Sequence, residues 1–442
     1  MQSRKPKSLK IANMAAVLEL LRTTHRASIA EISVRINLSK TTVRKILDNY
    51  IEAGLVISVG KGESTDEGGK RPELFAFNKN HGYVISLHVT PEMLLSVITD
   101  LNADITHSKI IMLDRQVHVL QVVRFLAEAI REFSAGKNAS GERLIGVVIA
   151  LPGLVDCDRG MSIYSPHYPS WGRNVPLKQM LIAELGADFA APIFMDCVNR
   201  YQAFAELEKG RAPDRGSFLI IDALDEGLGG GMVFSGSIQR GSQCLCGEIG
   251  HMILSPNDET SCICGARGCF EAMVSAKRVL RLVRDGHAAN RGSSLFDGCA
   301  PQQVTLERVS ECAAAGDEFA RALIEDVAGW YALGLNNIVM VSDPELIVLQ
   351  GVYTRAGDYF VERVRARMSE LGGLPDVEKQ VRVEYSTMGD ERGAVGAAAF
   401  VICNHFRSGH SDRAAVLSLD GGQRRPPVDG VTPEPAVSSS AQ

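Results

Sequence analysis

The residues with the sharpest chemical content are one histidine and three cysteines: His251, then Cys262, Cys264 and Cys269 within the run Cys262-Ile263-Cys264-Gly265-Ala266-Arg267-Gly268-Cys269. One imidazole and three thiolates make a tetrahedral zinc set, and the two glycines allow the tight knuckle it needs. Four protein ligands leave no open position for water, so the zinc expected here is structural. The competing reading, free core cysteines, gives no reason for the spacing. A second group lies near the N-terminus, where Ser39, Lys40, Thr41, Thr42, Arg44 and Lys45 crowd two helical turns with hydroxyls and cations. Such a face suits phosphates and base edges. A third is the run Glu226-Gly227-Leu228-Gly229-Gly230-Gly231, with further glycines at Gly236, Gly241, Gly247 and Gly250. This reads as a glycine-rich loop whose backbone could approach a phosphate or a sugar, although hairpin turns use glycine as freely.

The elements that must position the hydroxyl-and-cation face follow from periodicity. Apolar residues recur at helical spacing over Ile11 to Leu21, and Ser28 is placed to cap a short helix from Ile29 to Ile36. Ser39 then caps a third helix whose buried stripe is Val43, Ile46, Leu47, Tyr50 and Ile51, and Gly54 ends it. Leu55–Val59 and Glu73–Phe77 read as strands flanking a polar loop with Lys61, Lys70 and Arg71, a hairpin wing with a basic tip. Three helices and a wing make a winged helix-turn-helix over residues 1–79, with operator DNA as its expected partner. Three-helix units with basic faces also serve as protein-interaction modules; here fold, basic face and wing agree on DNA.

Charge points the same way. Residues 1–80 carry 14 Lys+Arg against 8 Asp+Glu, net +6, and the remainder 33 against 44, net -11, which together give the chain's -5. A basic head on an acidic body fits a nucleic-acid reader joined to something that is not one. With 442 residues, several folding units are expected. No apolar run is long enough for a membrane span and no apolar signal core follows Met1 to Lys10, so the expected location is the cytoplasm. Disulfides are not expected there among the ten cysteines.

In the body, strand-like runs (Tyr83–Val89, Leu94–Asp100, Ser108–Leu113), a helix from Val117 to Phe133 and a buried strand Ile145–Ala150 precede a second set, Ser217–Ile221 and Gly231–Phe234. This alternation implies a two-lobed α/β body with a cleft between the lobes. The segment from about Glu318 to Met340 reads as a helix that is either an oligomer element or a core element, with core the safer expectation. Residues after Phe406 turn rich in Ser, Pro, Gly and charge and are expected to be disordered over 407–442.

With these residues in hand, the chain resembles the ROK family (repressor, open reading frame, kinase), on its transcriptional repressor branch, the xylose-operon and N-acetylglucosamine repressor type. The resemblance spans about Ile11 to Phe406 and rests on Leu38-Ser39-Lys40-Thr41-Thr42-Val43, Gly69 to Pro72, Pro152-Gly153, Gly227 to Gly231, Gly247-Glu248-Ile249-Gly250-His251 and the knuckle ending in Glu271. It implies an actin-like, ribonuclease-H-like ATPase body over residues 80–406, one lobe about 80–197 plus 390–406 and the other about 198–389. It also implies a sugar-like effector held by Gly153, Asn199, Glu248, His251 and Glu271, with His251 also on zinc.

The departures matter as much. Kinase members open the body with an Asp-x-Gly-Gly-Thr phosphate turn, where this chain has Ser86-Leu87-His88-Val89-Thr90. A second phosphate turn reads Asp225-Glu226-Gly227, and two carboxylates near a phosphate would each cost about 3 kcal/mol at ~5 Å. A third reads Leu349-Gln350-Gly351. Aligning the following helix puts Val198 where kinases carry their aspartate base, with Asp196 two residues earlier as a potential substitute, and His167 where they tend to have asparagine. The expectation is a DNA-binding repressor of carbohydrate-related genes, not an enzyme, forming a homodimer or homotetramer. An ATP-dependent sugar kinase with a DNA-binding head, or a regulator answering to a protein partner, stay open as alternatives.

Overall fold

The computed structural model describes residues 6–62, 71–138, 142–212, 216–224, 227–372 and 381–408. Lys70, the wing tip, Asp225, Glu226 and residues 409–442 lie outside them, so the expectations placed there have no structural counterpart.

The head is built from local signals. It comprises α1 (Pro6–Thr24), β1 (Ala27–Ser28), α2 (Ile29–Arg35), α3 (Lys40–Glu52), β2 (Val56–Lys61) and β3 (Glu73–Phe77), with a sheet ordered β1-β3-β2. Ser28 starts α2 through a capping box: its Oγ accepts from Glu31 N at 3.3 Å, and Glu31 Oε2 accepts from Ser28 N at 2.7 Å. Ser39 caps α3 by accepting from Thr42 N at 3.1 Å. Gly54, at φ 72°, turns the chain out of α3. The inward stripe Val43, Ile46, Leu47 and Tyr50 packs on Val17, Leu18, Leu21 and Ile32, but Ile51, expected to extend it, is 39% exposed because it falls in the last turn, beyond the head's core. Each such side chain contributes on the order of 2 kcal/mol by leaving water.

The first lobe runs through β4 (Gly82–Val89), β5 (Met93–Thr99), β6 (Ile105–Met112), α4 (Val119–Asn138), β7 (Arg143–Leu151), β8 (Leu154–Asp156), β9 (Met161–Tyr164), α5 (Leu177–Leu185) and β10 (Ile193–Cys197). Its main sheet is ordered β10-β7-β4-β5-β6, with β10, β7 and β4 parallel. Every residue of β4 is buried, as expected of a strand covered on both faces. The chain passes to the second lobe at α6 (Val198–Lys209), followed by β11 (Phe218–Leu224), β12 (Gly227–Phe234), β13 (Ser237–Ile238), α7 (Phe270–Val274), α8 (Ala276–Gly286), α9 (Leu306–Ala315), α10 (Glu318–Ser342), β14 (Leu346–Gly351), α11 (Asp358–Glu370) and β15 (Arg382–Tyr385). That sheet is ordered β13-β12-β11-β14-β15. The long helix α10 is a core element, burying Leu323, Ile324, Val327 and Tyr331.

The last helix, α12 (Arg392–Ser408), returns to the first lobe and runs two residues past Phe406. It lies on β4 and β7 while α6 lies on β11 and β12, so the two helices meet between the sheets. Glycine makes that approach possible: a Cβ on Gly396 would fall 1.8 Å from the Tyr201 carbonyl oxygen.

Candidate functional site

The head presents the expected face. Ser39, Lys40, Thr41, Arg44 and Lys45 are exposed, Thr42 is half-buried and Arg71 is exposed beside β3. These groups already have local partners. Ser39 Oγ lies 3.0 Å from Thr41 Oγ1 and 2.8 Å from Thr42 Oγ1, and Arg44 Nε lies 2.9 Å from Asp48 with Glu73 at 3.8 Å. Lys40 and Lys45 carry the same charge along the same helix without an ion pair among the described residues.

His251, Cys262, Cys264 and Cys269 bring one ligand atom each to within 4.8 Å of one another, a cluster able to hold a metal ion. Tetrahedral ligation with Zn–S near 2.3 Å places two sulfurs about 3.8 Å apart. Cys264 Sγ and Cys269 Sγ are 3.8 Å apart, and Cys262 Sγ is 3.5 Å from His251 Nδ1, so the donor set fits zinc in spacing as well as in kind. The knuckle glycines are required: Gly265 and Gly268 have φ of 90° and 67°, and a Cβ on Gly268 would strike the Ser255 carbonyl. Burial pushes the Cys262 and Cys269 thiols up, which disfavours bare thiolates there.

The expected effector residues converge around the start of β12. Glu248 Oε2 is 3.9 Å from His251 Nε2, and burial raises the Glu248 carboxyl above its ordinary value. Glu271 accepts from Leu228 N at 3.0 Å and from Cys262 Sγ at 3.4 Å, so one of its oxygens anchors β12 and the other braces the metal cluster. Asn199 faces Gly229 and donates to Gln202 at 3.0 Å. Gly153, at φ 90°, lies against Tyr164 and Ser165, on the segment that leads to His167, whose ring faces Gly227.

One expectation is corrected. The run Gly227 to Gly231 is not a loop but the first part of β12. Its glycines admit α6: a Cβ on Gly231 would lie 2.3 Å from the Asn199 carbonyl oxygen, and one on Gly229 would lie 2.4 Å from Asn199 Oδ1. Asp196, the potential substitute base, is almost completely buried with both oxygens engaged. Oδ1 accepts from Arg200 at 2.6 Å and from Cys197 N at 2.8 Å, and Oδ2 accepts from Arg240 at 2.8 Å.

A cleft of about 420 Å³ opens between the lobes, lined by His167, Arg115, Thr354, Gln350 and Arg392 among others. Its floor is a polar chain that sequence reasoning missed. Arg392 Nη2 donates to Asp222 at 3.0 Å and Arg392 Nε to Gln350 Oε1 at 2.9 Å. Gln350 in turn donates to Glu206 at 3.1 Å, and Gln202 donates to Asp222 at 2.7 Å. His88 is buried beside them, its ring against Gly393, and burial lowers it to about 4. These residues are far apart in sequence and no spacing announces them.

Comparison with known proteins places this architecture. The profile of the ROK family matches residues 98–403, more than half of the chain. The chain belongs to the ROK family. The profile described as winged helix-turn-helix DNA-binding matches residues 15–57 of this ROK chain. A putative xylose repressor of Caldicellulosiruptor sp. (strain Rt8B.4) is 27% identical over 89% of this chain and 96% of its own length. The Escherichia coli (strain K12) DNA-binding transcriptional dual regulator NagC is also 27% identical, over 89% and 93%. A glucokinase of Halalkalibacterium halodurans is 30% identical over 62% of this chain and 82% of its own. A solved ROK family transcriptional regulator, a homologue of the E. coli Mlc protein, superposes with a TM-score of 0.74 at 23% identity, covering 90% of this chain and 97% of its own. That likeness establishes the fold: an N-terminal winged helix-turn-helix followed by the two-lobed actin-like body.

Proposed function

We propose that this ROK protein is a DNA-binding transcription repressor that answers to a sugar or sugar-derived effector and does not phosphorylate it. The observation that carries the reading is the pairing of a winged head with a body whose phosphate-side floor is filled by its own side chains. Relatives matching nearly the full length are named as repressors or regulators, and the glucokinase matches only part of this chain.

The chemistry of the cleft supports the loss of catalysis. Val198 has no proton-accepting atom in the base position, and Asp196 has no oxygen free of a hydrogen-bond donor. Losing a general base costs roughly 10² to 10⁴ in rate. His88 brings a ring to the turn where a kinase exposes backbone to phosphate, and Gln350 fills the third turn. Asn199, Glu248, His251, Glu271 and Gly153 are the proposed effector contacts, since carboxylates and imidazole accept several hydroxyl hydrogen bonds at once. The zinc held by His251, Cys262, Cys264 and Cys269 would cross-link the loop that carries Glu248 to the start of α7, which carries Glu271. Ser39, Lys40, Thr41, Thr42, Arg44, Lys45, Lys70 and Arg71 are the proposed DNA contacts. Two heads of a homo-oligomer would read the halves of a pseudo-palindromic operator.

The test is a fluorescence-anisotropy titration with DNA from upstream of the chain's own gene, with and without a panel of sugars, beside a coupled ATPase assay on the same panel. Salt-sensitive binding released by one sugar, with no turnover, is the expected result. Hexose-dependent ATP consumption by the purified chain would overturn the regulator-only reading.

A further inference from the structure

The two ends of α12 touch different functional parts of the molecule. At its N-terminus Arg392 crosses the lobe boundary to Asp222 on β11 and Gln350 on β14, both in the second lobe. About 20 Å along the helix, at 1.5 Å per residue, Phe406 packs edge to face on Phe77 of β3 in the head, with ring centroids 5.6 Å apart. One turn before it, Cys403 receives a long hydrogen bond of 3.9 Å from Arg22 of α1. Between these ends the helix is buried nearly all round. One continuous apolar cluster runs from Val17, Leu18 and Leu21 of the head to Val401, Ile402 and Cys403 of α12.

We propose that α12 is a coupling rod: its Arg392 end is set by the closure of the two lobes, and its Phe406 end carries that setting to the DNA-binding head. Three features suit it to the task. Its contact with α6 is close and interlocked: Gly393 and Gly396 bring it against Val198, Tyr201 and Ala205, and the Phe400 ring packs on Tyr201 and Phe204 with centroids 5.5 and 5.6 Å apart, so a displacement reaching α12 is passed along it as a unit rather than absorbed. Its polar tie to the second-lobe sheet is a partly buried ionic contact, Arg392 with 11% and Asp222 with 3% side-chain exposure, so losing it leaves two poorly hydrated charges and biases the helix end between two states. The seam at its far end is not filled: a gap of about 80 Å³ lies between Met14, Leu18, Tyr50 and Leu55 of the head and His405 and Phe406 of α12. A small shift of the head into that gap would meet no overpacking. A ligand that rotates the lobes would break the Arg392 contact, release the N-terminus of α12 and shift the head.

As regulation, this rests on the repressor reading; as mechanics it is tested without DNA. Backbone hydrogen exchange is followed by mass spectrometry on the full chain and on Arg392→Gln. The expected result is severalfold faster exchange in α1 and β3 of the head, with α4 and α5 on the outer side of the first lobe unchanged. In a Phe406→Ala background the same Arg392→Gln change is expected to leave the head alone, because the rod is cut at its other end. Phe406→Leu replaces it if the alanine variant does not accumulate. Faster exchange confined to β11, β14 and the start of α12 would overturn the proposal, as would a rise shared equally with α4 and α5. A chain that passes this test yet binds no DNA would sink the repressor reading and leave the coupling intact.

Discussion

Arg240 reaches from the second lobe to set its Nε 2.8 Å from Asp196 Oδ2 in the first, while Arg200 holds the other oxygen of the same carboxylate at 2.6 Å. Arg200 is itself fixed by donating to the Cys244 carbonyl at 2.6 Å. The aspartate thus ties the last strand of one lobe to the first helix and a loop of the other. The Arg392–Asp222 and Lys209–Asp104 contacts, at 3.0 and 2.7 Å, cross the same boundary.

Removing Asp196 leaves two guanidinium groups facing each other out of water. Breaking a buried pair from one side typically costs about 3–5 kcal/mol. Asp196→Ala is therefore expected to shift the urea midpoint strongly downward. An unchanged midpoint would mean that the carboxylate does not hold the lobes together.

The metal cluster yields a separate expectation. Thiols whose deprotonation is opposed by burial lose that opposition when a cation sits among them. The purified chain is expected to carry one zinc, measured by atomic emission. Chelation or Cys269→Ser is expected to lower the melting temperature by several degrees. Protein that is metal-free and equally stable would remove zinc from the account.

Much of this was legible in the sequence, and the boundary between what was and was not follows the range of the interactions. The caps at Ser28 and Ser39 and the stripe on α3 are local, fixed within a few residues, and the structure places them where the residues put them except for Ile51, which is exposed in the last turn of the helix. The knuckle was legible because four ligands must converge and little chain separates them. Glycines 227–231 misled, since a local reading takes glycine for a turn. The cause here is distant: α6 needs the room. α12 shows no helical stripe because it is apolar on every side, as a helix between a sheet and another helix must be. The Arg392, Asp222 and Gln350 contacts join three segments of the chain that only the fold brings together.

The head makes a charge prediction. Arg44 is shared with Asp48 and Glu73 in the free protein, so engaging a phosphate requires it to leave them. Arg44→Ala is expected to weaken DNA binding and to reduce the slope of log affinity against log salt by about one. Asp48→Asn, which frees the guanidinium, is expected to tighten binding instead. Equal loss in both variants would point to a structural role for the pair.

His88 sets a pH dependence whose sign can be worked out. Burial lowers its folded-state value to about 4, against an ordinary value near 6.5, with Asp222 raising it and Arg392 lowering it less strongly. Its Nδ1 has no hydrogen-bond partner among the described residues. Between those two values the unfolded chain takes up a proton that the folded chain refuses, so stability is full above about 6.5 and falls as the pH drops toward 4. At 1.4 kcal/mol per unit the loss is on the order of 3 kcal/mol across that window. Urea titrations at pH 7.5 and 4.5 on the wild type and on His88→Leu measure it. The variant is expected to show a flatter profile, because an apolar side chain has no proton to take up; parallel profiles would assign the acid sensitivity to other groups.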